Sequence, residues 1–158
     1  MAVKIIGWTF SSPITIKQEN DMKNNETKIT DGIDILLVAL SQDYIRWSNI
    51  CEKAEKNRPR TELELKYPEM NKRDPKIYKD MIKEYCEGLE VKEGSKYFKI
   101  ISNTNGCSSV LGFIVKCGDK KFLEGDMLKP AGWAKPARNF ARGNVLNKVI
   151  HVRWTGIN

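Results

Sequence analysis

The side chains best suited to chemistry lie between Lys129 and Asn144, where Lys135, Arg138 and Arg142 are interleaved with Trp133 and Phe140. Guanidinium forks are permanently charged and match phosphate oxygens, while aromatic rings stack on bases. Single-stranded nucleic acid, or a nucleotide with its base, calls for both kinds of group at once. Pro136 early and Gly143 late predict a short helix over residues 136–142. On it Arg138 and Arg142, four apart, would share a face. Beyond this segment Val149–Trp154 reads as a closing strand. Its alternation puts Ile150, Val152 and Trp154 on one face and His151 and Arg153 on the solvent side. The candidate phosphate-binding set is therefore Lys135, Arg138, Arg142, Lys148 and Arg153, with Trp133 and Phe140 stacking. The competing reading makes the two rings core anchors of a long loop and the arginines merely solvated.

The charge distribution favours the first reading. Of a formal net charge of +7, residues 115–158 carry nine Lys/Arg against three Asp/Glu, and no acid follows Asp126. Residues 1–114 are nearly balanced, with 18 against 17. Such asymmetry points to a polyanion: nucleic acid, nucleotide phosphates or an acidic protein surface. A basic face can also serve solubility alone.

Enzyme chemistry finds less support. His151 is the single histidine, which excludes two-histidine phosphoesterases and zinc sites built from several histidines. Cys51, Cys86, Cys107 and Cys117 form no CxxC pair and read as reduced, mostly buried thiols. A metal-dependent nuclease would need clustered carboxylates with a lysine, for which Glu62, Glu64 and Lys66 are candidates. That acid-x-lysine pattern is weak here, since it recurs at Asp21, Glu26, Asp74, Glu90 and Asp119. No Gly-rich phosphate loop occurs, and Gly106-Cys107-Ser108-Ser109 reads as a turn rather than a nucleophile loop. No catalytic residue, cofactor or metal is assigned.

The elements that must hold these residues follow from pattern. At 158 residues and 18.1 kDa the chain suits one compact domain, 1–158, with a helical part (1–90) and a basic β-lobe (91–158). Residues 3–16 predict a short hairpin and 17–31 an exposed loop. A helix is expected over Ile33–Lys56, with Leu37, Leu40, Tyr44, Trp47, Cys51 and Ala54 forming one apolar stripe. Its start, Ile33 to Leu40, is apolar at every position but Asp34, which requires deep burial or a partner. Residues 57–73 read as a connector with a short strand at Glu62–Tyr67. Asp74 caps a second helix, Pro75 opens it and Gly88 ends it. Strands follow at Tyr97–Ser102, Val110–Cys117 and Phe122–Leu128, with turns at Thr104-Asn105-Gly106 and Gly118-Asp119-Lys120. The fold class is α+β: N-terminal helices packed with a small antiparallel sheet or barrel.

The stretch Gly125–Trp133 with Pro136–Asn144, running on to Arg153-Trp154-Thr155-Gly156, resembles a segment of small accessory proteins of tailed bacteriophages. The resemblance covers the last third of the chain and transfers no catalytic residue. It implies expression in an infected bacterium, hence a cytoplasmic location, and a role in host takeover or in blocking a host defence. No secretory signal or membrane span is read from the sequence.

The leading expectation is thus a binding protein that engages host nucleic acid or a nucleoprotein complex through its basic C-terminal lobe. The alternatives are sequestration of a small nucleotide, a metal-dependent nuclease using Glu62 and Glu64, and an inhibitor of a host protein. In that last case the apolar start of the first helix would serve as an oligomer or partner face, or an acidic host protein would dock on the basic lobe.

Overall fold

A computed structural model describes residues 16–71, 74, 76–147 and 150–158. The chain opens with a long helix, α1 (Ile16–Asn57), followed by the one-turn-plus helix α2 (Glu62–Lys66), a 3-10 turn (Pro68–Asn71) and α3 (Lys76–Glu87). An antiparallel meander completes it: β1 (Leu89–Glu93), β2 (Tyr97–Thr104), β3 (Cys107–Val115) and β4 (Met127–Leu128), in that spatial order. The architecture is α+β, and the sheet is open rather than a closed barrel.

α1 begins 17 residues before the expected start at Ile33, so the loop expected at 17–31 is helical. Lys, Gln and Glu are good helix formers, no Pro or Gly falls between Ile16 and Asp31, and Ile29 already belongs to the buried stripe. The hairpin expected over residues 3–16 lies outside the described residues, apart from Ile16, which starts α1. Ile29, Ile33, Leu36 and Leu40 pack against Phe98, Ile100, Leu111, Ile114 and Met127 of the sheet. The apolar start of α1 is split by the helical period. Ile33, Leu36 and Leu40 are buried, while Ile35 and Val38 face outward at 56% and 55% exposure.

Residues 62–66 are helical, not a strand. The Thr61 hydroxyl accepts from Glu64 N–H, and the Glu64 carboxylate accepts from Thr61 N–H at 2.8 Å, a capping box that starts the turn. α3 keeps its expected punctuation. Asp74 Oδ1 accepts from Lys76 N–H at 2.9 Å, and Gly88 N–H closes the last turn on Glu84 O at 2.8 Å. Pro75 lies outside the described residues. Asn105 and Gly106 both adopt positive φ, as a two-residue hairpin between β2 and β3 requires. β1, not singled out as a strand from the sequence, pairs Leu89–Glu93 with Phe98–Ser102 and turns Leu89 and Val91 toward the α1 core.

Alternation divides the sheet into two faces. Phe98, Ile100, Ile114 and Met127 meet α1, whereas Phe113, Val115 and Leu128 form a second cluster with Phe122 on the opposite side. Tyr97 and Ala141 pack onto that second cluster. The expected strand Phe122–Leu128 survives only as Met127–Leu128. Upstream, Asp119 Oδ1 collects the N–H groups of Lys121 and Phe122, which curls the chain into a turn.

The closing segment 150–158 has no strand, yet its in–out alternation holds. Ile150 and Val152 pack on the α1 core, and His151 and Arg153 are exposed. At Trp154 its main chain is held by side chains instead of a ladder. Trp154 N–H donates to Asp43 Oδ2 at 2.8 Å, and Trp154 O accepts from the Tyr85 hydroxyl at 2.6 Å. Ile157 N–H reaches Leu111 O at 2.8 Å, and its side chain lies where a Cβ on Gly112 would stand. Val149 lies outside the described residues. No helix among the described residues is long and apolar enough to cross a membrane.

Candidate nucleic-acid interface

The sheet face opposite α1 is covered by residues 129–142, and the path of that segment follows from its hydrogen bonds. Ala137 N–H donates to Lys129 O at 2.7 Å, while Ala131 and Gly132 N–H both reach Lys135 O. These bonds make a loop that projects from β4, with Pro130 bridged to Pro136 at its base. The chain then returns along the free edge of β4. Arg142 N–H donates to Met127 O and Met127 N–H to Gly143 O, each at 2.8 Å. The helix expected over 136–142 is therefore absent. The N–H groups of Ala137 and Arg142 bond to Lys129 and Met127 rather than four residues back, and so short a segment cannot offset the cost of helix nucleation by itself.

Without that helix, Arg138 and Arg142 do not share a helical face, and their environments differ. Arg138 donates to the Asp119 carboxylate and the Tyr97 hydroxyl, and its guanidinium lies 5.0 Å from the Phe122 ring centre. The hydrogen bond from Arg138, joined by the N–H groups of Lys121 and Phe122, holds the Asp119 carboxyl at about 2, below its usual value. Arg142 instead lies 3.9 Å over the Phe140 ring, and its buried Nε has no protein acceptor. Lys121 Nζ is tied to Arg138 O at 2.6 Å.

The two rings of the segment are on the surface. Trp133 is 52% and Phe140 53% exposed, which overturns their reading as core anchors. Each carries a cation: Lys99 Nζ stands 4.7 Å from the Trp133 ring centre, and Arg142 covers Phe140. Lys99 projects from β2 and Lys135 is exposed on the loop. Lys99 could not be associated with this segment from sequence, because 34 positions separate it from Trp133 and only strand pairing brings them together.

The remaining expected residues fall elsewhere. Arg153 belongs to the closing segment against α1, on the other side of the sheet from Arg138 and Arg142. Lys148 lies outside the described residues. Glu64 is engaged by its capping box and by Arg58, 2.5 Å away, which together hold its carboxyl at about 2. No group of three or more His, Cys, Asp or Glu positioned for a metal occurs among the described residues. All four cysteines are free, but Cys107 and Cys117 are exposed and Cys51 and Cys86 half-buried, so the expectation of mostly buried thiols is corrected.

The sequence reading also missed an aromatic cluster that fixes the closing segment. Tyr44 and Tyr85 stack with ring centres 4.1 Å apart, and Trp47 and Trp154 lie 4.8 Å apart beside them. The signal was present in Tyr44 and Trp47 on the apolar stripe and in the inward phase of Trp154. What could not be read was that α1, α3 and the closing segment converge there.

Residues 15–155 match the model of a family of unknown function, DUF7717, and the chain belongs to that family. No curated protein and no solved structure matches it.

Proposed function

We propose that the protein is a binding protein for single-stranded nucleic acid, free or within a host nucleoprotein complex, acting through the sheet face covered by residues 129–142. The observation that carries this reading is the pair of exposed rings, each with a cation on one face: Trp133 with Lys99 and Phe140 with Arg142. A half-exposed ring offers a stacking surface to a base, and the adjacent cation faces the phosphate that follows it. Lys135 extends the positive surface along the loop, and no acid lies between Asp126 and the end of the chain. The resemblance of the C-terminal third to phage accessory proteins supports a host target and a role in takeover or defence evasion.

Anisotropy of a labelled single-stranded oligonucleotide tests the assignment. Stacking is worth about 1–3 kcal/mol per base, so Trp133→Ala and Phe140→Ala should each weaken binding by roughly 5- to 150-fold. Unchanged affinity in both variants would remove this face from the account.

A further inference from the structure

We propose a second anion site, independent of the nucleic-acid face: a cleft between α1 and the closing segment that takes the phosphate group of a small phosphorylated molecule. The cleft has a volume of about 540 Å³, within the range of small-ligand sites. α1 supplies Gln42 and Arg46, which are four apart and share a helix face. The closing segment supplies His151 and Arg153, while Asn158 lines the wall with its amide N–H groups turned to Thr155 Oγ1 and Gly156 O. His151 and Arg153 point the same way because Ile150 and Val152 between and beside them are drawn into the core.

Two features distinguish this cleft from an ordinary basic surface. First, its arginines are uncommitted. Arg58, by contrast, is paired with Glu55 and Glu64, and Arg138 with Asp119. Among the described residues, Arg46 and Arg153 have no side-chain hydrogen-bond or ion-pair partner. Asp43 is the one acid lining the cleft, and its Oδ2 accepts the Trp154 N–H. Second, the backbone that presents Arg153 is fixed by the turn that follows it. Trp154 is held by Asp43 and Tyr85, and Gly156 N–H closes a turn on Arg153 O at 2.8 Å. Gly156 takes φ +115, and a Cβ there would lie 2.4 Å from Leu111 O, so the turn depends on glycine. Two forked cations, one of them on a fixed backbone, with the His151 imidazole and the Gln42 amide beside them, outnumber the single Asp43 carboxylate and form a donor set suited to a phosphate.

Calorimetric titration of the full chain with AMP, adenosine, inorganic phosphate and a dinucleoside monophosphate lacking a terminal phosphate tests the site. AMP should bind with micromolar affinity, inorganic phosphate more weakly, and adenosine not at all. Arg46→Ala and Arg153→Ala should each weaken AMP at least tenfold, whereas Trp133→Ala leaves it unchanged. Because both arginines are exposed, the variants should keep the wild-type melting temperature. Absence of AMP binding at millimolar concentration, or binding indifferent to both arginine variants, overturns the site. A dinucleoside monophosphate that binds as tightly as AMP shows that the cleft reads a phosphodiester backbone, and overturns the small-ligand assignment. Loss of AMP binding in Trp133→Ala would merge it with the nucleic-acid face and refute its independence.

Discussion

Gly32 sets helix propensity against packing, and the two predict opposite signs for Gly32→Ala. It sits inside α1, where alanine is favoured over glycine by about 1 kcal/mol. A Cβ at Gly32 would stand 2.5 Å from Val145 O, 3.0 Å from its carbonyl carbon and 3.1 Å from its Cβ. Val145 is buried in the α1 core, and its N–H is bonded to Gly125 O at 2.9 Å, so its carbonyl cannot swing away alone. The helix or the loop must retreat by most of an ångström, loosening contacts around Ile29, Ile33 and Leu36. Overpacking of this kind costs about 1–3 kcal/mol, and a backbone obstacle belongs at the upper end. Net destabilisation of about 1–2 kcal/mol is expected. In a chain of this size that lowers the melting temperature by about 2–8 °C. Urea unfolding followed by helix ellipticity measures it, with Ile35→Ala, on the exposed face, as a control that should move stability by less than about 0.5 kcal/mol. A stabilised Gly32→Ala would mean that α1 does not rest against the loop that closes the basic segment.

Three further outcomes follow from the same packing. Tyr85→Phe removes the bond to Trp154 O and should cost about 1–2 kcal/mol in urea unfolding; an unchanged midpoint would show that the clamp on the closing segment contributes nothing. Leu36→Ala should cost about 2–5 kcal/mol, while Ile35→Ser and Val38→Ser stay within about 0.5 kcal/mol; comparable losses in all three would mean that the outer face of α1 is covered too. Burial holds the Tyr44 and Tyr85 phenols above their usual range, so above pH 10 the folded state retains protons that the unfolded chain releases. Stability must then fall as pH rises. Absorbance at 295 nm should show the last tyrosines ionising together with loss of helix ellipticity, and ionisation of all five in one phase with the helix intact would contradict this.

The sequence made some elements legible because a local signal and the tertiary structure agreed. The apolar stripe of α1, the Asp74 and Gly88 boundaries of α3 and the Asn105-Gly106 hairpin are of this kind. Errors arose where one local signal admitted two outcomes. Glu62–Lys66 alternates like a strand, but the Thr61–Glu64 box closes a helical turn. Residues 136–142 carry helix punctuation, yet pairing with the free edge of β4 claims their donors. The candidate site was half legible. Trp133, Lys135 and Phe140 are exposed, and Arg142 lies over the Phe140 ring. The partner that neutralises Arg138 and the lysine over Trp133 are set by sheet register. Arg153 was grouped by sequence proximity with residues that the sheet separates from it.

The central claim is most directly tested by the salt dependence of single-stranded DNA binding in wild type, Arg142→Ala and Arg138→Ala. Phosphate contacts from Lys99, Lys135 and Arg142 give a slope of about −2 for log affinity against log salt. Affinity should fall roughly twentyfold between 50 and 200 mM salt on that slope. Arg142→Ala should flatten the slope by about 0.7. Arg138→Ala should leave it unchanged, because Asp119 already matches that charge. A wild-type slope near zero, or equal slopes in the two variants, would contradict the account.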